Sequence, residues 1–82
     1  MAVQEVHSPL PGTFYRRSSP EAPPYAQEGD LIEAGAVIGL IEVMKQFTEL
    51  QAEHGGTLQA FHVENGDPVE PGQLVAVIET AG

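Results

Sequence analysis

Two stretches of this chain repeat one another. Glu28-Gly29-Asp30-Leu31-Ile32-Glu33-Ala34-Gly35 aligns with Asn65-Gly66-Asp67-Pro68-Val69-Glu70-Pro71-Gly72 at an offset of 37 residues, Gly29 to Gly66. The match continues through Val37 and Leu74, Ile38 and Val75, Leu40 and Val77, Ile41 and Ile78, and Glu42 and Glu79. Earlier in the chain, Gly12-Thr13 aligns with Gly56-Thr57 and Glu5 with Glu49, at an offset of 44, Gly12 to Gly56. The change of offset leaves seven extra residues in the first copy, between Thr13 and Gly29. A unit this short cannot bury its own apolar face, so the copies have to pack on one another about a quasi-twofold axis.

The repeated unit reads as β-structure. Glu5–Ser8 is a short strand, and Pro9-Leu10-Pro11-Gly12 breaks the ladder as a turn. Thr13–Arg16 follows, rich in side chains that favour strands. Leu31–Ile32, Ala36–Ile41, Phe47–Ala52, Thr57–Glu64 and Leu74–Ile78 are the further strand-like runs, with Leu58, Ala60 or Phe61, and Val63 partly buried. Glu28-Gly29-Asp30, Glu33-Ala34-Gly35, His54-Gly55-Gly56, Asn65-Gly66 and Pro71-Gly72 are turns. Met1–Gln4 reads as a frayed end, and no capped amphipathic stretch is long enough for a helix. Seven or eight short strands at this spacing predict an all-β sandwich or flattened barrel. The 82 residues make one domain, 1–82, with its core at about 5–80.

The insertion, Arg17-Ser18-Ser19-Pro20-Glu21-Ala22-Pro23-Pro24, has three prolines and no apolar periodicity, and reads as a stiff surface excursion. No cysteine is present, so neither disulfides nor thiolate metal sites supplement the core. Twelve acids against three bases leave a formal charge of −9, a surface that repels nucleic acid. His7, His54 and His62 are not at metal-ligand spacing, and no metal is expected. Without a leader or a membrane-length apolar run, the expectation is a cytoplasmic protein with no membrane partner.

Against that acidity Lys45 is the only lysine, at a bend between the strands Ala36–Ile41 and Phe47–Ala52. A solitary amine at such a bend is an addressable chemical handle. Under the offset of 37 it corresponds to Gly82. The lysine bend is therefore expected at one end of the sandwich and the C-terminus at the other, so that a tether at either terminus leaves the tip clear. A free lysine amine is mostly protonated near neutral pH and has to lose a proton to attack an acyl group. The sequence offers no base for that step, so activation is expected from a modifying enzyme, with this chain as its substrate.

Glu42-Val43-Met44-Lys45-Gln46 resembles the biotin-attachment motif Glu-Ala-Met-Lys-Met of biotin carboxyl carriers, departing from it at Val43 and Gln46. The related lipoyl domains usually have Asp at the position of Met44 and Ala at that of Gln46. Gly12-Thr13-Phe14-Tyr15-Arg16 before the insertion is similar to the segment preceding the "thumb" of bacterial acetyl-CoA carboxylase carriers. The resemblance covers roughly His7 to Glu79 and implies the biotinyl/lipoyl fold, a flattened barrel of two four-stranded antiparallel sheets with quasi-twofold symmetry. It further implies biotin joined covalently to Lys45, with Glu42, Val43, Met44 and Gln46 read by partners. Ser18, Ser19, Pro20, Glu21, Ala22, Pro23 and Pro24 would form the thumb, beside the biotin.

The implied partners are a biotin protein ligase, a biotin carboxylase and a carboxyltransferase, between which the chain carries a carboxyl group without itself catalysing. Three rivals stand beside this reading: the carrier of another biotin-dependent carboxylase, a lipoyl carrier, and an unmodified β-sandwich interaction module. Arg16 and Arg17, the remaining cations, are expected to be solvated or to pair with an acidic neighbour.

Overall fold

In a computed structural model, which describes residues 2–80, the alternation of apolar and polar residues resolves into eight strands. They are β1 (Ala2–His7), β2 (Gly12–Tyr15), β3 (Leu31–Ile32), β4 (Val37–Val43), β5 (Gln46–Gln51), β6 (Gly56–Phe61), β7 (Pro68–Val69) and β8 (Leu74–Thr80). The strands form two four-stranded antiparallel sheets, ordered β1-β8-β6-β3 and β5-β4-β2-β7. Among the described residues there is no helix. Phe14, Ile38, Ile41, Leu58, Val75 and Ile78 are fully buried where the inner faces meet, and Val6, Ile32, Val63 and Val69 join them.

The repeat is visible hydrogen bond by hydrogen bond. Gly29 N–H donates to Leu58 O at 2.7 Å, and Gly66 N–H donates to Phe14 O at 2.7 Å. Gln27 N–H donates to Asp30 Oδ2 and Glu64 N–H to Asp67 Oδ2, each at 2.9 Å. Gly29 and Gly66 have φ of 95° and 91°, and Gly35 and Gly72 of 86° and 84°, left-handed conformations that glycine adopts without a Cβ penalty. Replacing each strand by its repeat partner turns β1-β8-β6-β3 into β5-β4-β2-β7, so the quasi-twofold axis exchanges the sheets. Each copy therefore contributes two strands to each sheet.

Several boundaries differ from the sequence expectation. Ala2–Gln4 is not frayed, because these residues pair with Thr80, Glu79 and Ile78. The strand expected over Thr57–Glu64 ends at Phe61; His62 N–H still donates to Val75 O at 2.7 Å before the chain bends away. Ser8 lies outside β1 but is buried, its hydroxyl donating to Leu10 O at 2.6 Å. Gly12 and Gly56, read as turn glycines, are the first residues of β2 and β6. Their role is close approach: a Cβ on Gly12 would collide with Glu42 O, and one on Gly56 with Glu79 O. Gly82, the expected counterpart of Lys45, lies outside the described residues, but the rung Ala2↔Thr80 is the counterpart of Gln46↔Val43.

Because those two collisions are with backbone rather than with a side chain that can move aside, Gly12→Ala and Gly56→Ala should each destabilise the protein by about 1–3 kcal/mol. Urea unfolding measures both. Near-equal losses are expected from the symmetry, and a neutral result at either position would contradict the packing described.

Candidate functional site

β4 and β5 form a hairpin whose last rungs are Ile41↔Thr48, Glu42↔Phe47 and Val43↔Gln46, leaving Met44 and Lys45 as a two-residue turn. Both have positive φ, 51° and 67°, as both central residues of a type I′ turn require. Such turns favour Asn-Gly, and Met-Lys carries Cβ atoms into a region that L-residues avoid. The flanking ladder therefore imposes the turn, and local preference does not.

The hairpin sorts its residues by face. Val43 packs partly against the core, whereas Glu42 lies on the outer face, half-buried. Met44 is 92% exposed, more than the half-exposure its apolar side chain suggests, and Lys45 and Gln46 are exposed beside it. No carboxylate of the described residues lies within 4.0 Å of the Lys45 ammonium.

Beside the hairpin on the outer face is a cluster that the sequence reading did not assemble. Tyr15 on β2 donates its hydroxyl to Glu42 Oε1 at 3.0 Å. Its ring lies 6.3 Å from that of Phe47, tilted by 52°. Phe47 is 57% exposed and is the cross-strand partner of Glu42. The only hint of this in the sequence is an aromatic residue two positions past the lysine, on the strand's polar face.

The insertion leaves β2 and returns through an isolated bridge between Arg17 and Pro24, with Tyr25 N–H donating to Arg16 O at 2.8 Å. A turn closed by Ala22 N–H to Ser19 O, 3.1 Å, forms its tip. Ser18, Ser19 and Pro20 line a cleft of about 320 Å³ with Tyr15, Arg17, Phe47 and Asn65. Glu21, Ala22, Pro23 and Pro24 do not line that cleft, nor do Met44, Lys45 and Gln46. A shallower groove of about 780 Å³ on the other side of Phe47 is lined by Ser18, Tyr25, Leu40, Thr48, Glu49 and Gln51. Asn65, from the second copy of the repeat, accepts the Arg16 backbone N–H at 2.8 Å and so ties the thumb's root to the barrel.

Arg16 departs from expectation. It pairs with no carboxylate of the described residues and is half-buried, its guanidinium stacked 4.2 Å from the centre of the Phe61 ring. One terminal nitrogen donates to Ala26 O at 3.4 Å, while Nε is buried without a partner.

The hydrogen bond that Tyr15 gives to Glu42 pushes its hydroxyl above the ordinary value of 10.0, helped by burial and then by the carboxylate's charge. The native state thus holds this proton more tightly than the unfolded chain does. The associated stabilisation is present below pH 10.0 and disappears as the pH rises through the raised value. In a Tyr25→Phe background, tyrosinate absorbance should show Tyr15 titrating above its ordinary range. Glu42→Gln should lower that midpoint; an unmoved midpoint would show that Glu42 is not its partner.

Comparison with known proteins agrees with this geometry. Residues 4–78 match the biotin–lipoyl family model, described as "Biotin-requiring enzyme". The biotin carboxyl carrier protein of acetyl-CoA carboxylase from Pseudomonas aeruginosa is 40% identical over 65 residues, 79% of this chain and 42% of that protein. The chloroplastic carrier protein 2 of acetyl-CoA carboxylase from Arabidopsis thaliana is 42% identical over 62 residues, 76% of this chain and 24% of its own length. The chain thus spans less than half the length of these relatives. In structure it superposes on part of the Kluyveromyces lactis urea carboxylase with a TM-score of 0.80 and 33% identity, covering 96% of this chain and 6% of that one. Both the two-sheet architecture and the residues that build it place the chain in the biotin–lipoyl family, to which it belongs.

Proposed function

We propose that Lys45 is the attachment site for biotin and that the chain, one domain over 1–82, is the carrier of a biotin-dependent carboxylase of the acetyl-CoA carboxylase type. One observation carries the reading: the only lysine stands with Met44 at the apex of a two-residue β-turn, exposed and with no ion-pair partner among the described residues. Its amine can reach a ligase's active site without the barrel following. The relatives named above as carrier proteins of acetyl-CoA carboxylase, and Met44 where lipoyl domains usually have Asp, support biotin over lipoate.

The residues present fit the group. The cleft between thumb and hairpin offers the rings of Tyr15 and Phe47 to an apolar surface, and the Ser18 and Ser19 hydroxyls and the Asn65 amide to polar atoms. We assign Ser18, Ser19 and Pro20 to holding the biotin ring between transfers; Glu21, Ala22, Pro23 and Pro24 supply the span of the thumb. When attached, biotin supplies the carboxyl-accepting ring that the polypeptide lacks. The chain's part is to hold the lysine clear of the barrel and present it in turn to a biotin carboxylase and a carboxyltransferase, at high effective concentration. Gln46 closes the last rung through its backbone, so its departure from the family's methionine leaves the turn intact. Among the described residues no helix is long and apolar enough to cross a membrane, and a cytoplasmic carrier without nucleic-acid or membrane partners fits the −9 charge.

Intact-mass measurement after co-expression with an active biotin ligase should show one biotinyl group per chain, located at Lys45 by peptide mapping and abolished by Lys45→Arg. Parallel co-expression with a lipoyl ligase should leave the chain unmodified. A bare chain in the first arm, or a lipoyl adduct in the second, would overturn the assignment.

A further inference from the structure

In a chain with twelve acids, a lone lysine three residues beyond Glu42 would be expected to form an ion pair, yet none is present among the described residues. The Glu42 carboxylate is engaged elsewhere. Its Oε1 accepts the Tyr15 hydroxyl at 3.0 Å, and Tyr15 sits on β2, opposite Leu40 and two rungs further from the turn on the same outer face. The Tyr15 ring is held in place by Phe47, which is the cross-strand partner of Glu42 on β5. Three adjacent strands therefore converge on one carboxylate just below the Met44-Lys45 turn.

We infer that Tyr15 is a positioning residue for Lys45: by donating to Glu42 it keeps that carboxylate away from the amine that is to be acylated. The chemical consequence follows from which form of the amine reacts. An amine attacks an acyl group only as the free base, and a neighbouring carboxylate stabilises the ammonium form instead. A carboxylate occupied by a phenol hydroxyl on the face of the sheet remains available for partners to read without suppressing the nucleophile. The side chain that sets this arrangement lies 30 residues from Lys45 in sequence and reaches it only through the β2–β4 pairing.

The inference rests on the reading of Lys45 as an acceptor, but its test needs no ligase, so the two can fail separately. The unmodified full chain is treated with an amine-selective acylating reagent below pH 9, and the rate at Lys45 is followed by peptide mass mapping. Tyr15→Phe, which keeps the ring against Phe47 and removes only the hydroxyl, should slow acylation of Lys45 by about 1.5- to 5-fold, the range of an exposed ion pair. In a Glu42→Gln background the same substitution should have no effect. A general loosening of the hairpin would persist in that background, so equal slowing there would overturn the inference. An unchanged rate for Tyr15→Phe alone would do the same. Urea unfolding of each variant establishes that it is folded under the conditions used.

Discussion

The register between β4 and β5 is the constraint on which the site depends. Ile41 is fully buried and Glu42, its neighbour, faces outward, so a slip of one residue would move the carboxylate into the core and the isoleucine into water. With the register held, only Met44 and Lys45 are left to close the hairpin, whatever their preference. Placing two L-residues at positive φ costs on the order of 1–3 kcal/mol each. The ladder and the burial of Ile41 and Leu50 offset that cost. The lysine thus has a defined position without being packed against anything.

Duplication explains how so short a chain supports such a tip. The symmetry axis exchanges the two sheets, each built from two strands of either copy, and among the described residues the inner faces close a core without a helix or a disulfide. Only the first copy has the lysine turn; the corresponding rung of the second, Ala2↔Thr80, pairs the ends of the described chain. The insertion also belongs to the first copy, following β2. β2 lies between β4 and β7, and the insertion leaves it opposite Leu40 of β4, with Ser18, Ser19 and Pro20 lining a cleft with Phe47 of β5. Asn65 of the second copy secures the root of the thumb where it borders that cleft.

Electrostatics at the tip follows from the same strand order. The acids are spread along the sequence, and Glu42 is the one that the fold brings next to the lysine turn on its outer face. It is also the one whose carboxylate takes a phenol hydroxyl from a third strand. Arg16 is accommodated in a comparable way, stacked on Phe61 while acids line the adjacent cleft. In both cases an aromatic residue of the barrel takes the place of the ion pair that composition alone suggests.

Much of the architecture was legible in the sequence because duplication repeats its own signals. The matched glycines at 29 and 66, and at 35 and 72, mark turns twice over, and the change of offset locates the insertion. Lys45 was legible because it has no competitor. Other features could not be read that way. The turn at Met44-Lys45 contradicts local preference, and Ala2–Gln4 looks like a loose end until β8 supplies a partner. Tyr15, Phe47 and Asn65 join the site from three separate stretches of the chain. A repeat and a unique residue are properties of order along the chain, whereas a shared cleft and the partner of a carboxylate are properties of strand pairing. For that reason sequence alone specified the solitary lysine and the two-sheet scaffold, while the side chains that surround the lysine turn were decided only when β2, β4 and β5 came together.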